Sequence, residues 1–185
     1  TVFVGGGTPS LLGASGPSGL AAVLDAVRDS FTLADGAEVT TEANPESTSP
    51  EFFGRIRAAG YTRVSLGMQS VAPAVLRTLD RTHSPGRALD AAREALAAGF
   101  DHVNIDLISG MVGETWDNWR DCIKKTVELS PDSVTIYQME LPFNTVYSKD
   151  ILGNQIETPV ADWPTKRRWV DYAYDQFINA GYAVS

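Results

Sequence analysis

Short apolar, β-branched runs alternate along this chain with longer stretches whose apolar residues recur every three or four positions. The short runs are Val2–Val4, Glu38–Thr41, Arg63–Leu66, His102–Leu107 and Ser133–Tyr137. Each is bounded by turn residues, and each predicts a strand. The longer stretches predict helices. In Leu20–Phe31, the apolar positions Leu20, Val23, Leu24, Val27 and Phe31 fall on one helical face. Phe52–Ala59 follows the start signal Ser49-Pro50-Glu51, and Ala74–Leu79 follows Pro73, a residue suited to a first helical position. Ala88–Ala98 stops at Gly99. Trp116–Leu129 places Trp116, Trp119, Ile123 and Val127 on one face, and Thr165–Ala180 ends at Gly181.

Strands recurring roughly every 25 to 40 residues with helices between them are successive βα units, which build a parallel sheet. The fold class is α/β, with the sheet either open and doubly wound or closing toward a barrel. The least regular stretch is Pro142–Pro164, long enough to be a functional or mobile loop. Gly181-Tyr182-Ala183-Val184-Ser185 reads as the start of another strand. Val2–Val4 reads as a strand entered without a Met or leader, so both ends read as cuts.

The polar residues gather where the strands end. Gly5-Gly6-Gly7-Thr8 follows the first strand, and Glu42-Ala43-Asn44-Pro45 the second. Gly67-Met68-Gln69-Ser70 follows the third. The fourth holds Asn104 and Asp106 inside an apolar run, and the fifth leads into Gln138-Met139-Glu140. In a parallel barrel these tips share one face, where active sites are built. Three glycines make a tight strand-to-helix turn, or they let a ligand approach the backbone. They form neither GxGxxG nor a phosphate loop with Lys-Ser/Thr, which disfavours nucleoside triphosphates. Glu42 pairs with an arginine or a ligand, and Gln69 caps a loop or faces the site. Asp106 is harder to explain away: a carboxylate buried among Val103, Ile105 and Leu107 needs a partner or a ligand. Arg81 is the candidate partner, and His83 reads as a loop residue.

Composition narrows the classes. The 185 residues carry a net charge of -8, which argues against nucleic acid or an anionic membrane as the main partner. No apolar run has the length of a membrane span. The single cysteine, Cys122, excludes an internal disulfide and fits a reducing cytoplasm; it reads as inert core. His83 and His102 lie far apart, which gives a histidine-based metal site little support.

Taken together, "GGGTPS", "TEANP", "SLGMQS", "LDRTH", "GFDHVNIDLISGM" and "YQMELP" resemble, in order and spacing, the radical S-adenosylmethionine (SAM) enzymes. The most similar group is that of oxygen-independent coproporphyrinogen III oxidase and its relatives. The resemblance implies a partial (β/α)6 radical SAM barrel, truncated at both ends. Residues 1–185 would then run from the second strand onward, without the C-terminal substrate domain. It implies SAM and a [4Fe–4S] cluster as cofactors, together generating a 5′-deoxyadenosyl radical. The cluster's CxxxCxxC loop is expected upstream, so this piece alone is expected to be inactive as an oxidoreductase. An electron donor such as flavodoxin or ferredoxin and a small-molecule substrate, tetrapyrrole or other, are the implied partners.

The resemblance also assigns roles. Gly5, Gly6, Gly7 and Thr8 match the loop beside the SAM methionyl group. Glu42, Gln69, Arg81 and Asp106 match positions that contact SAM, and Met139 a backbone contact. Arg81's forked donors suit a carboxylate. Two departures bear on the substrate. Gly110-Met111-Val112-Gly113-Glu114 stands where the family often reads Gly-Leu-Pro-x-Gln, and Glu140–Thr145 fits neither the oxidase nor the haem-chaperone pattern. Haem chaperones, methylases and cyclopropanases on the same scaffold are therefore alternatives to the oxidase.

Overall fold

The computed structural model describes residues 1–11, 16–78, 85–140 and 160–185. Within them lie five strands: β1 (Val2–Val4), β2 (Val39–Ala43), β3 (Arg63–Gln69), β4 (His102–Ser109) and β5 (Ser133–Gln138). The helices are α1 (Gly16–Ser30), α2 (Pro50–Ala59), α3 (Pro73–Thr78), α4 (Pro85–Ala97), α5 (Trp116–Leu129) and α6 (Trp163–Asn179). All strand pairs are parallel and lie in sequence order, β1 to β5. The order settles the choice between an open and a closing sheet. With no reversal of order, right-handed crossovers put every helix on the same face, and the sheet curls as a partial barrel. Neighbouring helices accordingly pack in succession, α1 on α2, α2 on α4, α4 on α5 and α5 on α6.

Strand alternation separates the two faces. Val64, Leu66, Met68, Val103, Ile105 and Leu107 point to the helices and are buried. There they meet Leu20, Leu24, Phe53, Ile56, Trp119 and Ile123 in one core. Ala88, Ala91, Ala92 and Ala95 let α4 lie close against the sheet. The opposite, concave face carries Glu42, Ser65, Asn104 and Ser133 along one register row. Ser49 caps α2 by accepting from the Phe52 N–H, and Thr115 caps α5 by accepting from the Asn118 N–H.

Several expectations change in detail. On α1, Leu20 and Leu24 are buried, whereas Val23 and, just past the helix end, Phe31 are exposed: the apolar stripe is narrower than the pattern implied. On α5 the buried set is Trp119, Cys122, Ile123 and Thr126. Trp116 is turned outward to lie edge-on to Tyr172, 4.9 Å between ring centroids. The expected strand at Gly181–Ser185 does not form. Gly181, at φ 96°, caps α6 instead. Its N–H donates to the Ile178 carbonyl and that of Tyr182 to the Phe177 carbonyl, while the Phe177 and Tyr182 rings pack edge to face. Most of the Pro142–Pro164 loop lies outside the described residues.

Candidate functional site

The strand ends build the site, and two of them extend further than the apolar runs. β2 runs through Ala43, so Glu42 sits within the strand rather than after it. β3 runs to Gln69 through a bulge between Leu66 and Gln69. Gln69 occupies the left-handed region, φ 63°, which a glutamine adopts only when its surroundings demand it. Gly67 leaves the room: a Cβ there would come 2.8 Å from Gln69 Nε2.

The glycine loop is tied down from both sides. The Gly6 N–H donates to Glu42 Oε2 at 3.1 Å. Further on, Ser10 Oγ accepts from the Asn44 N–H at 2.9 Å and pairs with Ser47 Oγ at 2.6 Å. The three glycines answer different needs. A Cβ on Gly5 would sit 2.4 Å from the Phe3 ring and 3.0 Å from Glu42 Oε2, so Gly5 admits these two side chains. Gly6 and Gly7, at φ 91° and 60°, face open space and are there for their backbone conformation.

Asp106 stands beside this loop. Its Oδ2 accepts from Ser65 Oγ and its Oδ1 from Asn104 Nδ2, both at 2.8 Å. Burial pushes its pKa above the usual aspartate value, and these two hydrogen bonds pull it back part of the way. The expected charged partner, Arg81, lies outside the described residues, as does His83. Among described residues, neutral donors stabilise the carboxylate, with Arg63 the one cation that lowers its pKa.

Gly7, Thr8, Glu42, Gln69, Asp106 and Tyr137 share one cavity of about 300 Å³. A larger hollow of about 730 Å³ follows the outer edge of β5. Another, of about 530 Å³, runs between α5 and α6 among surface charges. Neither gathers strand-tip carboxylates, so chemistry rather than size identifies the site. Met139 does not join it. Its side chain packs near Ala72, Val75 and Met111. Its backbone is held by the Ser109 carbonyl at 2.8 Å and by Lys166 Nζ at 2.7 Å.

The sequence pattern marks neither Ser65 nor Tyr137 as a cavity residue, nor Lys166 and Glu114 as buried charges nearby. Ser65 and Tyr137 line the cavity through strand alternation. Lys166 is 5% exposed, and its stem fills the space a Cβ on Gly110 would need. Glu114 Oε2 accepts from the N–H groups of Gly110 and Met111 at 2.7 and 3.2 Å. Among the described residues its Oε1 is buried with no hydrogen-bond partner, as is Ser109 Oγ. Burial pushes the Glu114 pKa up to about 7. Among described residues no cluster of His, Cys, Asp and Glu is placed to hold a metal ion.

Comparison with known proteins bears on the fold and the family. Residues 1–126 match the model of the radical SAM superfamily. A Mycobacterium tuberculosis protein named heme chaperone HemW is 56% identical over 162 residues, 88% of this chain and 41% of that protein. Its Escherichia coli namesake is 37% identical over 147 residues, 80% of this chain and 38% of that protein. The solved coproporphyrinogen III oxidase (HemN) of Escherichia coli, a radical SAM enzyme, superposes with a TM-score of 0.81 at 26% identity, covering 98% of this chain and 40% of that one. The chain thus spans about two fifths of the length of these relatives.

Proposed function

The chain belongs to the radical SAM superfamily, and from that premise we propose that it is the barrel portion of a haem chaperone which binds SAM at its polar strand tips. The observation that carries the chaperone reading is the 56% identity to the Mycobacterium tuberculosis protein of that name. The superposition on coproporphyrinogen III oxidase supports a second reading, an oxidase acting on porphyrinogen propionates.

The superfamily's cofactors are SAM and a [4Fe–4S] cluster, and when bound they supply one-electron chemistry that side chains do not offer. The cavity suits SAM. Glu42 and Asp106 provide carboxylates for its ammonium and hydroxyl groups, and Gln69 a carboxamide. Gly6 and Gly7 leave the backbone open to its amino-acid end. The Gly6–Glu42 hydrogen bond fixes the loop against the carboxylate, so both meet the ligand in one arrangement. The cluster does not suit this chain. Clusters need thiolates, and the single cysteine, Cys122, is wholly buried in α5 with its thiol pushed up to about 12. The cluster's thiolates are not among these residues.

The test uses full-length protein, handled anaerobically. Titration with haem gives a saturable absorption change under the chaperone reading, while coproporphyrinogen keeps its propionates when reductant and SAM are supplied. Decarboxylation of coproporphyrinogen under those conditions overturns the chaperone reading in favour of the oxidase. Separately, Glu42→Ala should weaken SAM binding by calorimetry; unchanged affinity overturns the placement of SAM.

A further inference from the structure

Asp106 is the end of a hydrogen-bond chain that crosses the concave face from the start of β4, and Asn104 is its hub. Asn104 Nδ2 donates to Asp106 Oδ1 at 2.8 Å and to Ser65 Oγ at 2.9 Å. Its Oδ1 accepts from Ser133 Oγ at 2.6 Å and from Thr135 Oγ1 at 3.2 Å. A carboxamide has two donors and two acceptor positions, so Asn104, 2% exposed, uses all four. These partners also fix which way the amide points. Turned over, its oxygen would face the Asp106 carboxylate, acceptor against acceptor.

Counting protons carries the direction outward. Ser133 has one hydroxyl proton and gives it to Asn104. His102 Nε2, 2.7 Å from Ser133 Oγ, must therefore be the donor, which fixes the proton on Nε2. On the other branch Ser65 accepts from Asn104 and donates to Asp106 Oδ2. Every donor in the chain thus points toward Asp106. Aligned hydrogen bonds polarise one another, and a carboxylate at their end receives the sum.

We infer that Asn104 is a positioning residue: together with Ser65 it holds Asp106 ionised and oriented, so that the carboxylate's remaining acceptor capacity faces the cavity for a ligand bearing hydroxyl or ammonium donors. Such support is needed because the surroundings work against the charge. Burial favours the neutral acid, and Glu42 on β2 adds to that. Arg63 on β3 opposes it, but less than either hydrogen bond. Tyr137 on β5 faces the same group and is itself raised, first by burial and then by Asp106 and Glu42. His102 lies at the far end of the chain on β4 itself.

The inference rests on the reading that Asp106 contacts the adenosyl ligand, and the test separates the two. Full-length protein is titrated with S-adenosylhomocysteine by calorimetry over a pH series that descends from neutrality through the carboxylate range. Wild-type affinity falls as acid protonates Asp106. In Asn104→Ala the midpoint of that fall moves up by about one pH unit, the worth of one hydrogen bond to a charged group. A residue that only supports the fold would lower stability or affinity across the range without moving the midpoint. Ser65→Ala, a smaller perturbation, moves it in the same direction and decides the matter if the first variant does not fold. Profiles parallel to wild type in both variants, with Asp106→Asn still impaired, overturn the positioning role alone. An Asp106→Asn variant that binds as wild type overturns the placement of the ligand, and the positioning role with it.

Discussion

Replacing Glu114 with Gln isolates one titration in the fold. Glu114 is 7% exposed, and its carboxyl is held by two backbone N–H groups on one oxygen while the other has no partner among the described residues. Desolvation outweighs those two bonds and lifts the pKa from its ordinary 4.5 to about 7. The folded state therefore keeps a proton that the unfolded chain gives up. Below about pH 4.5 both states are protonated and nothing is lost. As pH rises through the window from 4.5 to about 7, stability falls, and above it the full difference has been spent. A shift of this size corresponds to about 3 kcal/mol, reached at a slope of about 1.4 kcal/mol per pH unit. Gln has the same shape and accepts the same two N–H bonds, but it does not titrate. Urea unfolding of full-length wild type and Glu114→Gln, compared at about pH 5 and about pH 8, cancels every other titrating group in the difference. The expected outcome is that wild type loses about 2.5 kcal/mol relative to the variant between the two conditions, the rest having been lost below about pH 5. Parallel losses in the two proteins would show that the carboxyl is ionised throughout, and the burial argument would be wrong.

Three further outcomes follow from particular contacts. Gly5→Ala should loosen the loop, because its Cβ would meet the Phe3 ring and the Glu42 carboxylate; calorimetry should show SAM affinity reduced by roughly tenfold, about 1.4 kcal/mol. Lys166→Met keeps the stem over Gly110 and removes a cation that burial disfavours, so it should cost less than about 1 kcal/mol in urea, whereas Lys166→Ala, which empties that space, should cost about 2 to 3 kcal/mol. Cys122, wholly buried with its thiol pushed up to about 12, should resist iodoacetamide in the native protein and react only on unfolding; rapid native labelling would contradict its burial.

The fold was legible because each level of the sequence repeats the same instruction. Five β-branched runs became five strands, and the Trp116–Leu129 helix has the limits its pattern gave. Where boundaries moved, the cause is tertiary. β2 and β3 extend past their apolar runs because pairing with a neighbour supplies the backbone partners that propensity does not, carrying Glu42 and Gln69 into the sheet. Gly181 carried two meanings, helix stop and strand start, and the cap won because Phe177 and Tyr182 pack across it. Composition could not have placed Lys166: a lysine at 5% exposure runs against its usual position, and only the glycine opposite, Gly110, makes room.

The same difference explains why the site was only half visible. A strand tip announces itself by a change of residue type, so Glu42, Gln69 and Asp106 stood out one at a time. What turns them into a site is the register row across strands, in which Ser65, Asn104 and Ser133 occupy neighbouring positions. In sequence those three are separated by other elements, and each alone is an ordinary polar residue on an alternating strand. Only the parallel order β3-β4-β5 makes them consecutive. A buried carboxylate noticed in a sequence is thus a question about the two flanking strands. Here β3 answers with the Ser65 hydroxyl and β4 itself with the Asn104 amide, and among the described residues the one cation, Arg63, does less than either.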